Sequence, residues 1–135
     1  MSKSIPAIGQ AWPDQGGIYI GARLIDGTVY HVVIPGGVEH DTKNVAFKNV
    51  ETSIPKELNG FSDWRAPDQE DLMLAWINAR EHFDKSASSH ASHYWSRTMR
   101  DGSSWAWCVG FDQGFTSDTP QSYKLRVRPF RRFVY

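Results

Sequence analysis

Residues 94–111 read YWSRTMRDGSSWAWCVGF. The pattern is strand, turn, strand: Tyr94 to Thr98 extended, MRDGSS turning, and Trp105 to Phe111 extended again. In the second run Trp105, Trp107, Val109 and Phe111 alternate with Ala106, Cys108 and Gly110. Large residues therefore line one face and small ones the other. A face of small residues lets another element approach closely. Trp95, Trp105 and Trp107 are three of the six tryptophans in the chain. Each indole offers a large area to bury and an N–H that needs a partner, so the rings read first as filling for an irregular core. Trp105 is the least determined of them: it alternates onto the face of Trp107, or it faces a partner.

Upstream, the spacing predicts a helix over residues 68–83. Pro67 precedes it, Asp68 suits the N-cap, and Asp71 is placed to close a capping box. Leu72, Ala75, Trp76, Ala79 and Phe83 recur at helical spacing and make one buried face, while Glu70, Arg80 and Glu81 lie off it. Nearer the start, residues 18–22 and 29–34 alternate as strands around Asp26-Gly27, a hairpin-turn dipeptide. The second of these strands is apolar on both faces and reads as covered on both sides. Residues 1–16 read as an irregular lead-in. Residues 36–59 read as a long loop with a short extended piece near residues 45–47. Downstream, Leu125 and Val127 alternate with Arg126 and Arg128 in a closing strand with one buried face.

The chain has 135 residues, with 15 basic against 15 acidic side chains. That length suits one domain with one core, expected over residues 1–135. A balanced charge gives no global attraction to nucleic acid or to an anionic membrane surface. The single cysteine, Cys108, rules out an internal disulfide. MSKSIPAIGQAW lacks the apolar run of a signal peptide, and no stretch is apolar enough to span a membrane. The expectation is a chain made in the cytoplasm without a signal peptide and without membrane insertion, with virion association left open.

Ordered segments at 60–72, 94–114 and 123–133 together resemble one family. The first carries Asp63-Trp64-Arg65, Pro67 and Leu72. The second carries Tyr94-Trp95-Ser96, Thr98, Ala106-Trp107, Val109, Phe111 and Gly114. The third carries Val127-Arg128-Pro129 and Arg131. The set is similar to the bacterial and phage domains of unknown function called DUF1566, also named for the C-terminal domain of the Legionella collagen-like adhesin. Phe130 departs from the smaller apolar residue usual there. The resemblance implies an α+β, C-type-lectin-like fold with a twisted antiparallel sheet, one main helix and long irregular loops. It also implies that the chain ends meet, and that Trp64, Trp95 and Trp107 build the core.

Reactive chemistry is scarce. His90 and His93 have H-x-x-H spacing, but no third zinc ligand lies nearby in sequence. His31 sits in an apolar strand and reads as a hydrogen-bonded core residue. Glu39, His40 and Asp41 do not follow a calcium-loop pattern. The Glu-Pro-Asn, Gln-Pro-Asp and Trp-Asn-Asp tripeptides of calcium-dependent lectins do not occur. Cys108 lies inside an apolar strand and reads as a buried thiol. The expectation is therefore no catalytic residue, metal or cofactor. In the basic tail, Arg128 and Arg131 are expected to pair with carboxylates such as Asp63, leaving Arg126 and Arg132 freer. Nucleic-acid binding is not expected without interleaved exposed aromatics. The resemblance then implies a non-enzymatic binding module presenting loops 36–59, 85–93 and 115–122 to a protein or bacterial surface glycan. His93, Arg97, Arg100, Asp101 and Trp105 are its expected binding residues. The settings it suggests are a phage or prophage receptor-binding protein, a homo-oligomer or virion component, or an intracellular inhibitor of a host protein.

Overall fold

The computed structural model describes residues 4–86 and 90–135. Strands β1 (Ala11–Trp12), β2 (Gly17–Ile25) and β3 (Thr28–Ile34) open the chain, followed by β4 (Thr42–Val45) and the helix α1 (Gln69–Ala79). Strands β5 (His93–Met99), β6 (Trp105–Gly110), β7 (Phe115–Pro120), β8 (Leu125–Val127) and β9 (Arg131–Phe133) complete it. They form two sheets, ordered β1-β2-β3-β9 and β4-β8-β5-β6-β7. All pairings are antiparallel except a single parallel bridge, Tyr94 to Arg126, between β5 and β8. This is the expected α+β class: one main helix, twisted antiparallel sheet and long loops.

Each element follows from its local chemistry. Asp26 and Gly27 both take positive φ, 49° and 81°, as the tight turn between β2 and β3 requires. Val32, Val33 and Ile34 are fully buried on both faces of β3. The capping box at α1 is complete: the Asp71 amide donates to Asp68 Oδ1 and the Asp68 amide donates to Asp71 Oδ2. Arg23 of β2 then donates to Asp68 at 2.8 Å and to Asp71 at 2.7 Å, so one guanidinium ties the helix start to the first sheet. Burial opposes the charge on Asp68, yet hydrogen bonds from Arg23 and from the Asp71 amide hold its pKa below the ordinary value. Asp71 moves the other way, raised by burial and by the neighbouring Asp68 charge.

The lead-in is more ordered than its composition suggests. Trp12 is buried in β1, edge-on to Tyr19, Phe133 and Tyr135 at 5.1, 5.4 and 5.0 Å. The two ends of the chain meet through these rings. The extended piece of the 36–59 loop is β4, slightly earlier than the sequence pattern indicates.

The tail differs more. It is two strands rather than one, β8 in the second sheet and β9 in the first. Pro129 lies between them, where its missing N–H cannot extend a ladder. The chain therefore crosses from one sheet to the other over residues 128–130. Arg128 sits at that crossing with a fully buried side chain. It donates to Asp41 Oδ1 at 2.5 Å, to the Gly36 carbonyl at 2.8 Å and to the His82 carbonyl at 2.8 Å. Asp41, also fully buried, accepts further from Arg126 at 3.0 Å and from the Tyr94 hydroxyl at 2.5 Å. Arg126 reaches Asp84 as well, at 2.9 Å. The sequence left Arg126 and Arg132 freer; Arg126 is instead a member of this network, and Arg132 lies 3.8 Å from Asp68.

Removing Asp41 leaves Arg128 buried without its counter-charge. The Asp41→Ala variant is expected to lose about 3–5 kcal/mol of stability in urea unfolding. Arg100→Ala, at a half-exposed ion pair, is expected to lose less than about 1 kcal/mol. Equal losses in the two variants would contradict the role given to the buried network.

Candidate functional site

The family-like motifs bury themselves. Asp63 accepts from Arg131 Nε at 2.6 Å, and Arg131 lies over Phe61 with its guanidinium 3.7 Å from the ring centre. Trp64 is buried and donates its indole N–H to the Leu58 carbonyl at 2.7 Å. Arg65 and Phe130 exchange a pair of backbone hydrogen bonds, both 2.9 Å, which joins the first motif to the third. Pro67 accepts from the Arg97 amide at 2.7 Å, which joins the first motif to the second. Trp95 is fully buried and donates to the Val45 carbonyl at 2.7 Å. Pro129 is buried beside Arg128. A side chain at Gly114 would meet the Trp76 ring at 2.1 Å, and its φ is 83°, so this motif glycine has no substitute.

The β6 tryptophans depart from a simple core reading. Phe111 and Val109 are buried under α1 together with Leu72, Ala75 and Tyr94. Exposure then grows along that face: Trp107 is half-buried and Trp105 is 39% exposed. Both rings stand outside the three buried clusters. The opposite, small-residue face is the deeply buried one. Ala106 and Cys108 pack against Trp95, Leu125 and Val127.

The expected binding residues therefore separate. His93 is buried at the start of β5, edge-on to Phe115 at 5.6 Å. Arg100, Asp101 and Trp105 gather at the turn end of the β5–β6 hairpin, Arg97 lies just before them on β5, and all four are exposed. The turn is held by the Arg100 amide donating to Trp105 O at 3.0 Å and the Trp105 amide donating to Ser103 Oγ at 2.9 Å. Arg100 pairs with Asp118 of β7 at 2.6 Å, and Arg97 pairs with Glu51 at 3.2 Å. Met99 adds a further apolar side chain there, 53% exposed. Beside the hairpin lies a hollow of about 240 Å³ lined by Phe47, Lys48, Val50, Glu51, Arg97 and Met99. Its loop half, residues 47–51, carries no motif, and only the long loop hinted at it.

Other candidates stay apart. The side chain of His90 and residues 87–89 of the 85–93 loop lie outside the described residues, so the H-x-x-H pair is not seen whole. Among the described residues no group of His, Cys, Asp and Glu is arranged to hold a metal ion. His31 Nδ1 is 2.8 Å from the Tyr19 hydroxyl. Among the described residues no helix is long and apolar enough to cross a membrane.

A protein-family model described as the Lcl C-terminal domain matches residues 29–131. No curated protein matches the chain. The matched span begins within β3 and ends at the first residue of β9, so it includes the hairpin, the helix and every buried arginine of the tail.

Cys108 is fully buried, 3.3 Å from the Thr119 hydroxyl, and burial pushes its pKa up to about 11. A thiolate is therefore scarce in the folded protein at neutral pH. The native protein is expected to resist a thiol-specific reagent that labels it at once in denaturant. Burial also raises the Tyr94 pKa, with the neighbouring Asp41 charge adding to the shift. Both acids hold their protons more tightly when folded, so their contribution is complete below the unfolded values and lost as pH rises through the folded ones. The urea midpoint is expected to fall steadily above about pH 9, and less steeply in Cys108→Ala. A flat midpoint from pH 8 to 11 would refute this.

Proposed function

Because the chain belongs to the Lcl C-terminal domain family, we propose that it is a non-enzymatic binding module, one domain over residues 1–135. Its accessible recognition surface is the turn end of the β5–β6 hairpin, and its target is a protein or a bacterial surface glycan. The observation that carries this reading is the division of labour among the motif-rich segments. Nearly every motif residue is spent on buried contacts, whereas Arg100, Asp101 and Trp105 stand exposed at the turn of the hairpin, with Arg97 and Met99 exposed on its other face. Interfaces favour such aromatic and arginine side chains, which bring large area and fork-like donors. The ion pair Arg100–Asp118 orients that arginine while leaving it open to solvent.

In this reading His93 supports the hairpin from beneath rather than touching the target. A setting on a phage particle or a bacterial surface, with several copies acting together, would strengthen weak single sites by avidity. No step of recognition depends on a metal.

The test is binding of the purified protein to intact bacteria and to an array of their surface glycans, with and without a chelator. Trp105→Ala and Arg100→Ala are each expected to weaken binding by about tenfold or more, at unchanged folding stability. Chelator is expected to change nothing. Wild-type binding that both variants retain in full would move the recognition surface elsewhere on the fold.

A further inference from the structure

The hollow beside the hairpin has a more specific chemistry than the surface around it. On β5, Thr98 faces the helix start, where its hydroxyl accepts from the Gln69 amide at 3.2 Å. Arg97 and Met99 alternate with Thr98 and so face the other way, toward the loop at 47–51. Met99 is in register with Ala106, on the small-residue face of β6. The apolar part of the hollow is Val50, 2% exposed, with Phe47 and the exposed Met99. Phe47 packs edge-on against the buried Trp95 at 5.5 Å, which ties that wall to the core.

The charged part is asymmetric. Glu51 is matched by Arg97, an ion pair with side chains 56% and 45% exposed. An ion pair this open contributes little to folding and rearranges cheaply. Lys48 has no ion-pair partner among the described residues. The lining of Lys48, Arg97 and Glu51 therefore carries one cation in excess. The volume, about 240 Å³, lies below the roughly 300–1,000 Å³ typical of small-molecule sites, and suits a single side chain.

We propose that this hollow is an anchor pocket for one apolar side chain of a partner protein, with an adjacent carboxylate of that partner received by Lys48 and Arg97. The proposal rests on the binding-module reading above and chooses a protein as the target. A side chain inserted against Val50, Phe47 and Met99 would form the desolvated centre of an interface, and the arginine fork would orient the carboxylate at its edge. The open ion pair is what allows Arg97 to turn from Glu51 to that carboxylate.

The full chain is titrated with N-acetyl-leucine, with N-acetyl-leucinamide and with methyl glucoside, and methyl NMR signals of Val50 and Met99 are followed. Saturable millimolar binding of N-acetyl-leucine is expected, weaker by about tenfold for the amide, which lacks the carboxylate. Lys48→Glu is expected to remove that preference for the acid over the amide. Met99→Asp, at an exposed position, is expected to abolish both. Equal binding of acid and amide, no shift at Val50 and Met99, or shifts caused by methyl glucoside instead would each overturn the proposal. The readout is pocket occupancy, not adhesion. An empty pocket in a protein that still binds cells through Trp105 would sink the pocket alone, and an occupied pocket without cell binding would sink only the wider surface.

Discussion

The carboxylate of Asp41 is the point on which the rest of the structure depends. It lies in the loop before β4, yet it neutralises Arg128 at the crossing between sheets, steadies Arg126 on β8 and accepts the Tyr94 hydroxyl from β5. Arg128 spends its remaining donors on the carbonyls of Gly36 and His82, which fastens the end of β3 and the end of the helix to the same centre. The ring of Phe83 completes the enclosure, 4.3 Å from the guanidinium. A buried ion pair adds little net stability over a well-packed apolar substitute. Its value here is geometric. The guanidinium's three fitted acceptors come from three separate segments, so it sets the distances between them.

A second arginine does the same for the other sheet. Arg131 pairs with Asp63, reaches the Gln15 carbonyl and lies between Phe61 and Phe133. Arg23 gathers the two carboxylates of the helix cap. Loops that carry little regular hydrogen bonding are thereby attached to the sheets by directional side chains. The exposed turn end of the β5–β6 hairpin carries only open ion pairs, Arg97 with Glu51 and Arg100 with Asp118, which contribute little to the frame.

Much of this frame was legible in sequence because its signals are local. The helix announced itself by Pro67, Asp68, Asp71 and the spacing of Leu72, Ala75 and Ala79. The first hairpin announced itself by Asp26-Gly27. The pairing of Arg131 with Asp63 was also readable, as an arginine and a carboxylate on neighbouring motifs. Asp41 was not, because a lone aspartate in a polar loop looks the same whether it meets water or a buried arginine far along the chain. The tail misled for a related reason: alternation in 125–128 is genuine, but it cannot show that the next strand joins a different sheet. Trp107 misled because alternation assigns a face and does not say how much of it is covered. At the candidate site, Arg97, Arg100, Asp101 and Trp105 were legible as a polar turn beside an aromatic strand. Phe47, Lys48, Val50 and Glu51 were not, since only the fold brings that loop beside β5.

The crossing at Pro129 also sets the order in which the molecule can be built. A chain leaves the ribosome from its N-terminus, and here the first sheet lacks its edge strand β9 until residues 131–133 emerge. Until then Asp41 waits without Arg128, 87 positions away, and Gln15 without Arg131, 116 positions away. The nascent chain can form its local hairpins and its helix, but neither arginine knot can close before Arg128 and Arg131 have been made. Such distant closures make for slow folding and a long exposure of unpaired strand edges. The arginines that fasten the scaffold are thus made after every segment that they fasten.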